Sequence, residues 1–161
     1  MSAAESIAAG LLDVTRPGLV FPDLDGADAS SVLAGLSRRL AAELPGGTSA
    51  LEIARRFAER EALGSTALGR GLAVPHCKLA GIDRPWLAVG VHPRGVDFGA
   101  PDGEPVRVFL AVVSPPATPA AHLRVLAAIS RWARDPANVA ALAGAATVEE
   151  ALARLGAGNG S

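Results

Sequence analysis

The sequence predicts a single α/β (α+β) domain, a central β-sheet sandwiched by helices on its faces. Three observations carry this. Apolar residues recur at helical spacing over residues 30–44, and again over 49–60. The period then shortens, and Leu72-Ala73-Val74, Trp86–Val91 and Val106–Val113 are apolar runs bounded by glycine and proline, as buried strands require. Helical patterns return after Thr118. Helices before and after a block of strands argue for a sheet covered on its faces.

Each element has a local reason. A short helical pattern around Ile7–Leu12 is closed by Arg16-Pro17, and Leu19-Val20-Phe21 is a short strand ended by Pro22 and the turn Asp25-Gly26. In the first long helix Val32, Leu33, Leu36, Leu40 and Leu44 share one face, and Pro45-Gly46-Gly47 stops it. The second begins at Ser49 with Glu52 three residues on, a capping-box pattern, and its inward stripe is Ile53, Ala54, Phe57 and Ala58. The stretch 64–76 passes Gly64, Gly69 and Gly71 and ends at Pro75-His76. Proline holds the residue before it extended, so His76 is expected where a strand gives way to a loop.

Beyond it, His92-Pro93 reads as a strand end, and Gly95–Phe98 with the turn Pro101-Asp102-Gly103 connects two central strands. Thr118-Pro119 and Asp135-Pro136 are helix starts with proline at the first helical position, running to Arg134 and Leu142. Thr147 with Glu150 forms a last capping box, and residues 156–161 read as a frayed, flexible tail.

Composition narrows the function. At 161 residues the chain fits one domain by the usual size of roughly 100–200 residues. A net charge of −1 with no basic block lacks the footprint of a nucleic-acid binder. One cysteine, Cys77, excludes an internal disulfide and fits a reducing compartment. No apolar run approaches the roughly 20 residues that cross a bilayer, and Met1–Glu5 lacks the positive start of a signal peptide. A cytoplasmic protein with no direct membrane insertion is expected.

Three histidines are available: His76, His92 and His122. Glycines at 64, 69 and 71 permit positive φ and close backbone approach, so N–H groups over residues 65–71 can gather around an anion. His122 falls in the first turn of a helix, whose free N–H groups favour phosphate, and Arg60 offers a fork for phosphate oxygens. Together they suggest a histidine nucleophile with phosphate-stabilising neighbours. Taken alone, each has an ordinary reading: a bonded loop histidine, a helix cap, a solvated arginine, and for Cys77 a small filler. A zinc site from His76, Cys77, His92 and His122 lacks paired ligand spacing. No Gly-x-Ser-x-Gly elbow and no Walker ending are present.

The stretch Arg60–His76, with its Ala-Val-Pro-His end, resembles the signature of the fructose/mannitol/nitrogen-regulatory type IIA domains of the bacterial phosphoenolpyruvate-dependent phosphotransferase system (PTS). Gly95-Val96-Asp97-Phe98, Asp102-Gly103-Glu104-Pro105-Val106 and the His122-Leu123-x-x-Leu126-Ala127 segment match in the family's order. The resemblance spans a core of about residues 10–155 and implies a mixed sheet of about five strands between helices. It implies that His76 accepts a phosphoryl group from an HPr-like phosphocarrier protein. The group then passes to a IIB domain or serves as a signal to a regulatory target protein. It also implies that His122 and Arg60 sit beside that phosphate. By the glycine argument above, Ser65, Thr66, Gly69 and Gly71 are the expected phosphate-binding loop. No cofactor or metal is expected, because the donor arrives already phosphorylated. Two departures stand out: Ala67 where the family favours glycine or another small turn residue, and Cys77 where glycine is common.

Overall fold

The computed structural model describes residues 10–159. Residues 10–13 are helical, and the expected start of that helix at Ile7 lies outside the described residues. A 3₁₀ turn at Pro17–Leu19 leads into β1 (Val20–Phe21), followed by α1 (Ala29–Glu43) and α2 (Ala50–Ala62). The sheet continues with β2 (Ala67–Gly69), β3 (Leu72–Ala73), β4 (His76–Lys78), β5 (Trp86–Val96) and β6 (Val106–Ser114). Three helices end the chain: α3 (Pro119–Ala133), α4 (Pro136–Ala143) and α5 (Val148–Asn159). This is a single mixed six-stranded sheet between helices, the fold class expected. Among the described residues no helix is long and apolar enough to cross a membrane.

The strand pleat divides the core in two. Phe109, Ala111 and Val113 of β6 join Leu36, Leu40, Ile53 and Phe57 under α1 and α2. Val108, Leu110 and Val112 join Val125, Ile129 and Trp132 of α3 on the other face. Burial on both faces is why β6 reads as a continuous apolar run rather than an alternating one.

Sheet order is β1-β5-β6-β3-β2, with β4 also paired to β6. The strands β3 and β4 run parallel to β6 one after the other, at residues 108–109 and 112–114. Between them Pro75 has no N–H to give the ladder, and its carbonyl accepts from Val112 N–H at 2.9 Å. His76 is therefore the first residue of a resumed strand, not the last of one that becomes a loop.

Three local expectations change, and the cap of α1 is new. β5 continues through His92-Pro93, its register shifting between Val91 and Val96, an irregularity that admits a proline. Asp28 caps α1, accepting from Ser31 N–H at 2.8 Å. In α2, Ser49 caps Glu52 N–H at 3.1 Å, but the Glu52 carboxylate turns to Arg55 and Arg56; Ala54 is half-buried and Ala58 exposed. Those two alanines line an apolar groove of about 770 Å³ against α1. Finally, α5 runs through Gly156 and Gly158 where a frayed tail is expected. A Cβ at Gly156 would lie 2.8 Å from Leu12 Cδ1, and one at Gly158 would overlap the Trp132 indole, so these glycines permit close packing.

Candidate active site

The parallel register of β4 on β6 sets out the candidate site. It pairs His76 with Val112, Cys77 with Val113 and Lys78 with Ser114. Strand alternation gives His76 and Lys78 the face turned to α3, and sends Cys77 into the core beneath α1 and α2. Burial there pushes the Cys77 thiol up to about 12, so it keeps its proton at neutral pH and gains no thiolate reactivity.

His76 is held at both ring nitrogens. Nδ1 lies 2.8 Å from the Val74 carbonyl oxygen, which can only accept, so Nδ1 carries the proton. Nε2 accepts from Arg60 Nε–H at 3.2 Å, which requires a lone pair. Together these bonds specify a neutral imidazole whose nucleophilic nitrogen is Nε2. Arg60 reaches it from the last turn of α2. Its Nη1 donates to the Gly64 carbonyl at 2.8 Å, and Nη2 has no partner among the described residues. The guanidinium is thus anchored with donors left over.

His122 stands in the first turn of α3, only 6% exposed. Its ring centroid is 5.6 Å from that of His76, at an interplanar angle of 53°. Nδ1 lies 2.7 Å from Ser114 Oγ, and Nε2 has no partner among the described residues. Burial, followed by the nearness of His76 and Lys78, holds its pKa below the ordinary imidazole value, so His122 is neutral at neutral pH. His76, His122 and Arg60 line one open cavity of about 290 Å³, with Arg56, Lys78 and Glu59 around it. Three cationic side chains against one carboxylate favour an anion there.

The expected phosphate-binding loop is elsewhere. Ser65, Thr66, Gly69 and Gly71 do not line this cavity, and their polar groups are taken up locally. Thr66 gives its N–H (3.0 Å) and its hydroxyl to the Glu61 carboxylate, and Ser65 Oγ donates to the Phe98 carbonyl at 2.7 Å. Arg70 N–H goes to Asp102 at 2.8 Å, and the Gly71 carbonyl accepts from Arg107 and Val108 N–H. Gly69 and Gly71, at φ of 90° and 83°, shape the β2–β3 hairpin rather than an anion cradle. His92 also lies outside the cavity; its Nε2–H donates to the Gly26 carbonyl at 2.9 Å.

Two polar neighbours escaped the sequence reading. Lys78 is the chain's single lysine and stands two residues after His76, the spacing that shares a strand face, so a signal existed. Ser114 meets His122 eight residues on, across the β6–α3 connection, and pairs with Lys78 through strand register; neither contact is displayed by sequence.

Comparison with known proteins places this arrangement in a family. Residues 13–157 match the model of the phosphoenolpyruvate-dependent sugar phosphotransferase system, EIIA 2. A nitrogen regulatory protein of Pseudomonas aeruginosa is 34% identical over 145 residues, 90% of this chain and 93% of that protein. The crystal structure of the nitrogen regulatory protein IIA-Ntr from Neisseria meningitidis superposes with a TM-score of 0.81 at 26% identity, over 89% of this chain and 97% of that one. Enzyme IIAMTL of Escherichia coli, solved in complex with phosphorylated enzyme IIBMTL, shares the fold at 19% identity and a TM-score of 0.72, over 89% and 99%. The match over nearly the whole chain shows that this protein belongs to the EIIA 2 family of the phosphoenolpyruvate-dependent sugar phosphotransferase system.

Proposed function

We propose that this protein is a phosphoryl carrier that takes a phosphoryl group from an HPr-like phosphohistidine donor onto Nε2 of His76. The hydrogen bonding of His76 carries this reading: Nδ1–H on a carbonyl and Nε2 as the lone-pair nitrogen, beside an anchored arginine. Nε2 attacks phosphorus in line. The bond from phosphorus to Nε2 forms as the bond to the donor's nitrogen breaks, and that electron pair stays with the donor. Arg60 releases Nε2 and turns its donors to the phosphoryl oxygens, while the Val74 carbonyl supports the positive charge developing on the ring. His122, neutral and adjacent, donates to a phosphoryl oxygen. Transfer to a IIB domain is the same displacement in reverse sense.

A second reading, a regulator whose phosphorylation state controls a target protein, draws on a specific observation. The 34% identity over 90% of this chain is to a nitrogen regulatory protein, and the TM-score to IIA-Ntr exceeds that to IIAMTL. Transfer from the phosphoprotein to a IIB domain separates the two, since a regulator need not hand the group on.

The test is intact-protein mass after incubation with phosphoenolpyruvate, the first enzyme of the system and HPr, beside His76→Ala. A gain of one phosphoryl group, labile to acid and absent from the variant, is expected. No gain with cognate donors would refute the carrier reading. A gain that survives His76→Ala would move the acceptor to His122.

A further inference from the structure

We infer that Ser114 is a positioning residue that fixes His122 as the Nε2–H tautomer, so that its free nitrogen meets phosphate as a donor. This rests on the carrier reading for its purpose, but the hydrogen-bond argument stands on its own. Ser114 is fully buried at the end of β6, and its Oγ is 2.7 Å from His122 Nδ1. Two assignments satisfy that distance. If Nδ1–H donated to Oγ, the serine proton would be buried with no acceptor among the described residues, a costly arrangement. If the serine O–H donates to Nδ1, both groups are satisfied and the imidazole proton must sit on Nε2. The second assignment leaves neither the serine hydroxyl nor Nδ1 unpaired.

The consequence reaches across the cavity. His76 and His122 are both neutral and close, yet they are assigned opposite tautomers by different partners. The Val74 carbonyl puts the His76 proton on Nδ1 and leaves Nε2 to attack. The Ser114 hydroxyl puts the His122 proton on Nε2 and leaves it to donate. With the other tautomer, His122 would present a lone pair to phosphoryl oxygens and repel them. Ser114 itself touches no reacting atom. It acts through the imidazole, held in place by the β4–β6 register that pairs it with Lys78.

The experiment combines ¹⁵N–¹H imidazole NMR of the full chain with phosphotransfer kinetics from phosphorylated HPr, for wild type, Ser114→Ala, Ser114→Thr, His122→Ala and the Ser114→Ala/His122→Ala double variant. Wild-type His122 is expected with a bare Nδ1 and a protonated Nε2. In Ser114→Ala an Nδ1–H population appears and transfer slows up to about tenfold, the worth of one hydrogen bond. Ser114→Thr keeps the hydroxyl and restores the tautomer, and the double variant is no slower than His122→Ala alone. A wild-type His122 protonated at Nδ1 overturns the inference, as does a Ser114→Ala protein whose His122 spectrum and transfer rate are both unchanged. If wild type takes up no phosphate, the carrier reading falls while the NMR comparison still decides the tautomer.

Discussion

Two neighbouring regions share the composition associated with anion sites and use it in opposite ways. The β2–β3 hairpin has the glycines, a serine and a threonine, but it consumes its own donors: Thr66 is bound by Glu61, Arg70 N–H by Asp102, and Ser65 by a carbonyl. The β4–α3 end instead holds donors in reserve, with Arg60 Nη2 and His122 Nε2 lacking partners among the described residues. A site is marked less by polar composition than by polar atoms positioned and left unspent. The hairpin is the scaffold on which that reserve is kept, since Gly64 at its entry also anchors Arg60.

The contrast can be broken by mutation. The largest effect is expected from Arg60→Ala, which removes both the donor on His76 Nε2 and the charge beside the phosphoryl group. Transfer to His76 should fall about a hundredfold, on the order of losing one preorganised donor. Arg60→Lys should recover little, because an ammonium cannot hold the Gly64 carbonyl and reach the phosphate together. Stopped-flow transfer rates measure both, and a rate within twofold of wild type for Arg60→Ala would remove the arginine from the site.

A smaller effect of another kind is expected in the hairpin. Thr66→Val deletes the buried hydroxyl bound to Glu61 and should lower unfolding stability by about 1 kcal/mol in urea, with phosphotransfer unchanged. Slower transfer at unchanged stability would return Thr66 to the site and erase the distinction between the regions.

The mildest test is pH. Because the His122 pKa is held below the ordinary value of 6.5, the unfolded chain binds the proton first as pH drops. The stability tied to neutral His122 is therefore complete above about pH 6.5 and is lost as pH falls toward the depressed folded value. Urea midpoints between pH 7.5 and 5, compared for wild type and His122→Gln, should show a shallower slope in the variant. Equal slopes would assign the acid sensitivity to other groups.

Much of this was legible in the chain. Periodicity located α1, α2, β5, β6 and α3, because both faces of the sheet are buried and the patterns are strong. His76, His122 and Arg60 were singled out by residue type and local context, and the fold brings them to one cavity. The loop assignment over residues 65–71 failed for a physical reason. Positive φ at Gly69 and Gly71 serves a tight hairpin as well as an anion nest, and only the hydrogen bonds distinguish them. Ser114 was invisible because it lies 38 residues after His76, and its contact with His122 depends on how the β6–α3 turn folds the helix start back over the strand end. The extent of α5 was missed because Gly156 and Gly158 look like fraying signals until Leu12 and Trp132 are seen against them.

The register of β4 has a meaning beyond cohesion. His76 and Cys77 are consecutive residues, each bearing an atom able to attack phosphorus, and three ladder pairs decide which of them faces the cavity. A slip of one residue along β6 would turn every side chain over, offering sulfur to the donor and sinking the imidazole into oil. Pro75 closes off one route to that error, since it cannot supply the N–H that a shifted ladder would need there. On the proposed carrier reading, these three ladder pairs act as a selector of chemical identity: they choose the element, nitrogen or sulfur, that would meet a phosphoryl donor.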